Sequence, residues 1–284
     1  MSFALDMAVF GGDKRQIYLA QSLVEKGYSV GTYRLFESMS VKGCTELHTF
    51  DELFDKCRVL IGPIPFIKNL MPANQLTAVF EQRLKKQHLL LGGVIPPALV
   101  QFCAQNSIAC HDLMRNEKVA ILNAIATAEG AIMEAIAASP GNLHGSSCLV
   151  LGYGRCGKIL ADKLRGLSAR VTVAARSEEA LAFAEASGMR PIHLSAIKGL
   201  LPDCDFIFNT IPALILDSGC LALLSAETAI IDISSEPWGV DYDAAAQRGL
   251  VARCAQGLPG KVAPKASADI LSDGIMTILK ERGG

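Results

Sequence analysis

Ser147-Cys148-Leu149-Val150-Leu151 is an apolar run that leads into Gly152-Tyr153-Gly154-Arg155-Cys156-Gly157, and a helical pattern follows. Strand, G-x-G-x-x-G and helix in that order are the parts of the phosphate loop in a dinucleotide-binding βαβ unit. Gly152 makes the tight turn, Gly154 lets a pyrophosphate approach the backbone, and Gly157 lets the helix pack on the strand. The helix start offers N–H groups to the phosphates. Arg155 and Cys156 lie in the loop itself; Arg155 either touches a phosphate or points to solvent. The next strand pattern, Arg170 to Ala175, ends in Arg176-Ser177, where an acid would grip a ribose 2′-hydroxyl. A guanidinium beside a hydroxyl suits a 2′-phosphate instead, so the expected cofactor is NADP. The alternative is an arginine that merely faces solvent.

Two further segments end strand patterns of the same half: Asn209-Thr210-Ile211-Pro212, and Ile231-Asp232-Ile233-Ser234. Ligands of parallel α/β sheets bind at the carboxyl ends of the strands, which makes Thr210, Ile211, Pro212 and Ser234 cofactor-site candidates. On the substrate side, Gly11-Gly12-Asp13-Lys14-Arg15-Gln16 sits at a strand-to-helix turn without G-x-G-x-x-G spacing. It is expected to bind an anion through Arg15 and Gln16; otherwise it is a tight turn with surface charges. Leu122, Ile125, Glu129, Ile132 and Ile136 recur at helical spacing, so Glu129 falls in an apolar stripe, where a carboxylate is costly unless paired. It orients a ligand or acts as base, or else it sits at the rim of the stripe with its charge in water. Lys261 and Lys265 flank the start of the last helix. Lys265 there opposes the helix dipole, which an anionic ligand would offset. None of the five histidines lies in the last 91 residues, which argues against a histidine proton donor of the two-domain hydroxy-acid dehydrogenase kind. No C-x-x-C or H-E-x-x-H spacing is present, and no metal site is expected.

These residues need a scaffold. Half of the 284 residues are apolar and 19% are charged, so the chain folds, and a net charge of -1 gives no footprint for nucleic acid. Nine singly placed cysteines fit reduced core thiols in a cytoplasmic protein. The apolar stretch near 119–138 is interrupted by Glu129 and Glu134, and no membrane span is expected. Short apolar runs alternate with helical patterns along the whole chain. The expected fold is α/β: two doubly wound parallel-sheet domains, the second a Rossmann NAD(P)-binding domain, joined by long helices. The expected boundaries are 1–117 for a substrate-side domain and 118–263 for the Rossmann domain with a connecting helix over 118–139. A helix over 264–284 is expected to return to the first domain.

Gly11-Gly12-Asp13-x-Arg15-Gln16, Thr127-Ala128-Glu129-Gly130, the glycine loop at 152–157, Ala175-Arg176-Ser177, Asn209-Thr210-Ile211-Pro212 and Pro259-Gly260-Lys261-Val262-Ala263-Pro264-Lys265 occur in that order. As a set they resemble the A subunit of dipicolinate synthase from spore-forming bacteria, over about residues 8–280. The resemblance implies synthesis of pyridine-2,6-dicarboxylate in the mother-cell cytoplasm during sporulation. The implied substrate is 4-hydroxy-tetrahydrodipicolinate or its dehydrated dihydro form, converted by loss of water and hydride transfer to NADP. It also implies a flavoprotein-like partner, the B subunit of the same synthase. Such folds commonly pair as homo-oligomers. A dicarboxylate would explain the basic residues, with Arg15 and Lys265 as clamp candidates and Glu129 as candidate base. Two other functions fit the same motifs: another two-domain NADP dehydrogenase of shikimate or hydroxy-acid type, and a non-catalytic NADP-binding subunit that needs its B partner.

Overall fold

The computed structural model describes residues 3–68 and 73–283. The chain divides into two compact units, residues 1–123 with 263–284, and residues 124–262. The division falls inside a helix that the sequence assigns whole to the second domain, so its first turns belong with the first sheet.

In the first unit β1 (Leu5–Phe10), α1 (Lys14–Glu25), β2 (Val30–Tyr33), β3 (Thr45–Glu46), α2 (Phe50–Lys56), β4 (Cys57–Ile61), α3 (Ala73–Arg83), β5 (Leu89–Gly92), α4 (Pro97–Gln105) and β6 (Ala109–Asp112) alternate, and α5 (Glu117–Ala138) begins. The strands lie in the order β3-β2-β1-β4-β5-β6 and pair in parallel. Central β1 is buried on both faces from Met7 to Phe10, as a strand covered by helices on each side must be. One face packs Met7, Val9, Leu19, Leu23 and Leu91 with residues of the last helix. The other holds Phe10, Phe54, Phe66 and Phe80.

The second unit holds β7 (Ser147–Leu151), α6 (Arg155–Gly166), β8 (Arg170–Ala175), α7 (Glu178–Ala186), β9 (Arg190–His193), β10 (Phe206–Asn209), α8 (Ser218–Leu221), β11 (Ala229–Asp232), α9 (Tyr242–Gln247), β12 (Val251–Cys254) and α10 (Leu258–Val262). Its order, β12-β11-β10-β7-β8-β9, repeats that of the first sheet. In both, the first and fourth strands are neighbours, and the connections leave them on opposite sides. That is the switch point where open α/β sheets bind ligands. Strand β9 contains Pro191; it is an edge strand, where a missing N–H is tolerated. The last helix, α11 (Pro264–Gly283), packs on α1 in the first unit, with Ser22 Oγ 3.0 Å from Ser272 Oγ.

Helix α5 is long and apolar enough by composition to cross a bilayer. Its line of small residues, Ala128, Ala131 and Ala135, is instead buried in the core of the second unit.

Candidate functional site

The glycine loop forms the turn between β7 and α6. Gly152 has φ +94°, and a Cβ there would overlap Thr210 Oγ1 and lie 2.9 Å from Ile211 Cγ1. A Cβ on Gly157 would overlap the Gly152 carbonyl. The protein's own packing therefore requires both glycines. Gly154 differs. Its backbone is extended (φ -81°, ψ -160°), and a Cβ would meet nothing within 4 Å. No internal contact accounts for the missing side chain, and the open space lies beside the N-terminus of α6, which no side chain caps. A dinucleotide pyrophosphate fits that cradle.

Gly152, Tyr153, Gly154, Arg176, Ser177 and Ile211 line one open cavity of about 290 Å³. The structure thus brings the loop, the end of β8 and the segment after β10 together. Arg176 is exposed and makes no side-chain hydrogen bond or ion pair among the described residues, so its guanidinium is available to an anion. Ser177 Oγ accepts from the N–H of Ala180 and caps α7; its hydroxyl proton remains free to donate. Burial pushes the Cys156 thiol up from its ordinary range, which keeps it neutral within the loop. Thr210 is committed to the scaffold: its hydroxyl donates to the Leu151 carbonyl at 2.9 Å and ties the β10 loop to the glycine turn.

Behind this loop lies a polar network that spacing alone did not reveal. Asp232 is fully buried and accepts four hydrogen bonds from neutral donors: Asn209 Nδ2, Ser234 N, Gly239 N and Tyr242 Oη. Asn209 in turn accepts from Ile211 N and donates to Ile211 O. Burial and the Asp232 charge push the Tyr242 phenol upward, so it stays a donor. A Cβ on Gly239 would overlap Asn209 Nδ2, which explains that glycine. The carboxylate thus fixes the backbone of both loops at the C-terminal sheet edge. Ser234 Oγ is buried without a hydrogen-bond partner there, an orphan a ligand group could satisfy.

The substrate-side candidates fare differently. Arg15 and Gln16 lie at the start of α1, at the switch point of the first sheet, but the guanidinium is 3% exposed. Its fork is spent on Asp13: Nε donates to Oδ1 and Nη2 to Oδ2, each at 2.9 Å. Nη2 also donates to the Ile64 carbonyl. Asp13 caps α1 by accepting from Arg15 N. The helix N-terminus expected to hold an external anion therefore already holds an internal one. Lys68, which no motif singled out, donates to Asp13 Oδ2 at 2.8 Å. Burial opposes the Asp13 charge, but the hydrogen bonds and charge of Arg15, with Lys68, outweigh it and hold the carboxyl at about 2. Gln16 is buried, its Nε2 facing the Gly62 carbonyl and its Oε1 without a partner.

Glu129 corrects an expectation. Ile125 and Ile136 are exposed, and the buried line of α5 runs through Ala124, Ala128, Ala131 and Ala135 instead. Small residues, not large ones, face the core because α10 approaches closely: a Cβ on Gly130 would lie 2.9 Å from Leu258 Cβ. Glu129 is on the opposite, exposed face and pairs with Lys163 at 2.9 Å, so the premise for a buried base is gone. Lys265 is also exposed and pairs with Asp269 one turn along its own helix, which offsets its charge without a ligand. Lys261, in the last turn of α10, is exposed as well.

Comparison with known proteins matches residues 6–114 to the N-terminal domain of the dipicolinate synthase A subunit. Residues 111–234 match the NAD binding domain of D-isomer specific 2-hydroxyacid dehydrogenases. The dipicolinate synthase A subunit of Bacillus subtilis is 32% identical over 99% of this chain and 98% of its own. The crystal structure of the Bacillus halodurans A subunit superposes with a TM-score of 0.84 at 30% identity, covering 98% of this chain and 99% of that one. That of the Bacillus subtilis A subunit gives 0.81 at 30% identity, over 99% and 97%. With a relative 32% identical over 99% of the chain and two solved structures of the same subunit superposing over nearly all of it, the chain belongs to the family of dipicolinate synthase A subunits.

Proposed function

We propose that this chain oxidises a cyclic dihydro-dicarboxylate to pyridine-2,6-dicarboxylate with NADP, in a sporulating cell. The observation that carries the cofactor half is Gly154, whose bare Cα leaves open space beside the uncapped N-terminus of α6, where a pyrophosphate can approach the backbone. Arg176, beside Ser177 and without a protein partner among the described residues, supports the 2′-phosphate form over NAD. When bound, the nicotinamide would accept the hydride. From 4-hydroxy-tetrahydrodipicolinate the balance is loss of one water, then departure of one hydride and one proton, which leaves the aromatic ring.

The chain's own residues have three tasks in this scheme. The α6 N-terminus, Arg176 and Ser177 hold the dinucleotide. The Asp232–Asn209 network keeps the 209–212 and 234 segments rigid beside it, so that the reacting carbon is oriented. Basic side chains hold substrate carboxylate. Aromatisation supplies driving force, which lowers the demand for a strong protein base, and Glu129, exposed and paired with Lys163, does not take that role. A second kind of subunit, which the name of the Bacillus subtilis relative suggests, would complete or supply the site. The test is a turnover assay with the purified chain, NADP and the product of dihydrodipicolinate synthase, with and without the partner chain. Formation of NADPH and pyridine-2,6-dicarboxylate in equal amounts is expected. Reduction of NAD in preference to NADP, or no turnover in either case, would overturn it.

A further inference from the structure

The Asp13–Arg15–Lys68 cluster holds two cations and one carboxylate, so it carries one net positive charge at the carboxyl ends of β1 and β4. Asp13 cannot neutralise both partners. Its two oxygens already accept from Arg15 N, Nε and Nη2 and from Lys68 Nζ. Donors remain: two further protons on Lys68 Nζ, and Arg15 Nη1, which makes no hydrogen bond among the described residues. The buried Arg15–Asp13 pair is neutral on balance, and the excess charge falls on the partly exposed Lys68 ammonium, where an anion from solvent can meet it. The two cations differ in access. The Arg15 side chain is 3% exposed and that of Lys68 is 29%. Lys68 is thus the member through which solvent, and a ligand, reaches the cluster. It is also tied down by its backbone, whose carbonyl accepts from the N–H of Gly12 at 3.1 Å. Gly12, at φ +83°, has no room for a Cβ between Gln16 and Pro63.

We infer that Lys68, held by Asp13 and backed by Arg15, binds a carboxylate of the dicarboxylate substrate. Asp13 aims the ammonium and Arg15 supplies charge from beneath, so Arg15 acts through the cluster and Lys68 makes the contact. This assignment rests on the dicarboxylate reading above and moves the clamp from Lys265 to Lys68.

The experiment is calorimetric titration of pyridine-2,6-dicarboxylate into the full chain with NADP present, for wild type, Lys68→Gln and Lys68→Arg, with the neutral pyridine-2,6-dicarboxamide as control. Lys68→Gln should weaken the dicarboxylate at least about tenfold and leave NADP affinity within about twofold, because one charge-assisted contact is lost. Lys68→Arg should recover part of the loss, and the diamide should not bind to any of them. Melting curves separate folding from binding, since Lys68→Gln removes only the partly exposed member of the cluster. If wild type binds the dicarboxylate and Lys68→Gln binds it equally well, the assignment of Lys68 is overturned and the substrate reading stands. If wild type binds NADP but no dicarboxylate, the substrate reading falls and takes this assignment with it. If the diamide competes as well as the diacid, the site does not recognise charge and the inference fails.

Discussion

Replacing Gly154 with alanine separates the needs of the ligand from those of the fold. Gly154 is the N-cap of α6, and alanine is a poorer N-cap than glycine, at a cost of about 0.5–1 kcal/mol. The extended backbone is open to alanine, and the added Cβ meets nothing within 4 Å. The loss of unfolded-state freedom therefore returns about 0.4–1 kcal/mol. The two terms nearly cancel, and the melting temperature should move by less than about 2 °C. Cofactor affinity should not be spared, because the methyl occupies the cradle beside the α6 N-terminus; a tenfold loss corresponds to about 1.4 kcal/mol. Gly152→Ala is the contrast. Its positive φ costs an L-residue about 1–2 kcal/mol, and the overlap with Thr210 adds about 1–3 kcal/mol. Its melt should fall by at least about 5 °C. Scanning calorimetry and NADP titration on both variants give the four values needed. Gly154→Ala binding NADP within about twofold of wild type would refute the loop as a pyrophosphate cradle.

Arg176→Ala should weaken NADP by about tenfold or more and NAD by less than about threefold, because only the 2′-phosphate gains a charge-assisted contact of about 1.5–3 kcal/mol; paired titrations check it. Asp13 sits at about 2 when folded, below the ordinary carboxylate value. Its contribution to stability is thus complete above about pH 4 and is lost as pH falls toward 2. Asp13→Asn should lower the melting temperature at neutral pH and flatten its decline through that acid range, as melts at stepped pH would show. Asp232→Ala strands four neutral donors around a cavity, so the second unit should lose several kcal/mol, roughly the summed cost of buried unmet groups; denaturant titration reads this directly. Burial pushes Cys44 and Cys148 up to about 11 and Cys57 and Cys204 up to about 12, while Cys254 is exposed. At neutral pH a thiol reagent should show a fast phase that Cys254→Ser removes.

Local pattern carried much of this molecule. Met7–Phe10 and Cys148–Leu151 read as buried strands because they are continuous apolar runs, and the turn after the second reads as a phosphate loop because its glycines have G-x-G-x-x-G spacing. Arg176 was legible from its distance beyond the glycine loop, since a βαβ unit has a nearly fixed length. Where β9 begins, and that α8, α9 and α10 exist as short helices, was not legible. Each is brief, and in β9 a proline hides a strand that only its edge position permits.

The site divides along the same line. The phosphate loop is a local object, made by consecutive residues whose steric needs travel with the sequence, and its chemistry follows from spacing. Glu129 looked buried because large apolar residues flank it at helical spacing. Which face of α5 is inward is settled by how closely α10 can approach, and that favours the alanine line. Lys68 and Asp13 are 55 residues apart, and Asp232 and Asn209 are 23 apart. No periodicity links them, because parallel strands bring together residues whose separation is set by the connections between them. The sequence determined the fold class, the family and the nucleotide loop; the tertiary structure alone decided which charges are paired, which carboxylate is buried and which basic residue is left with charge to offer.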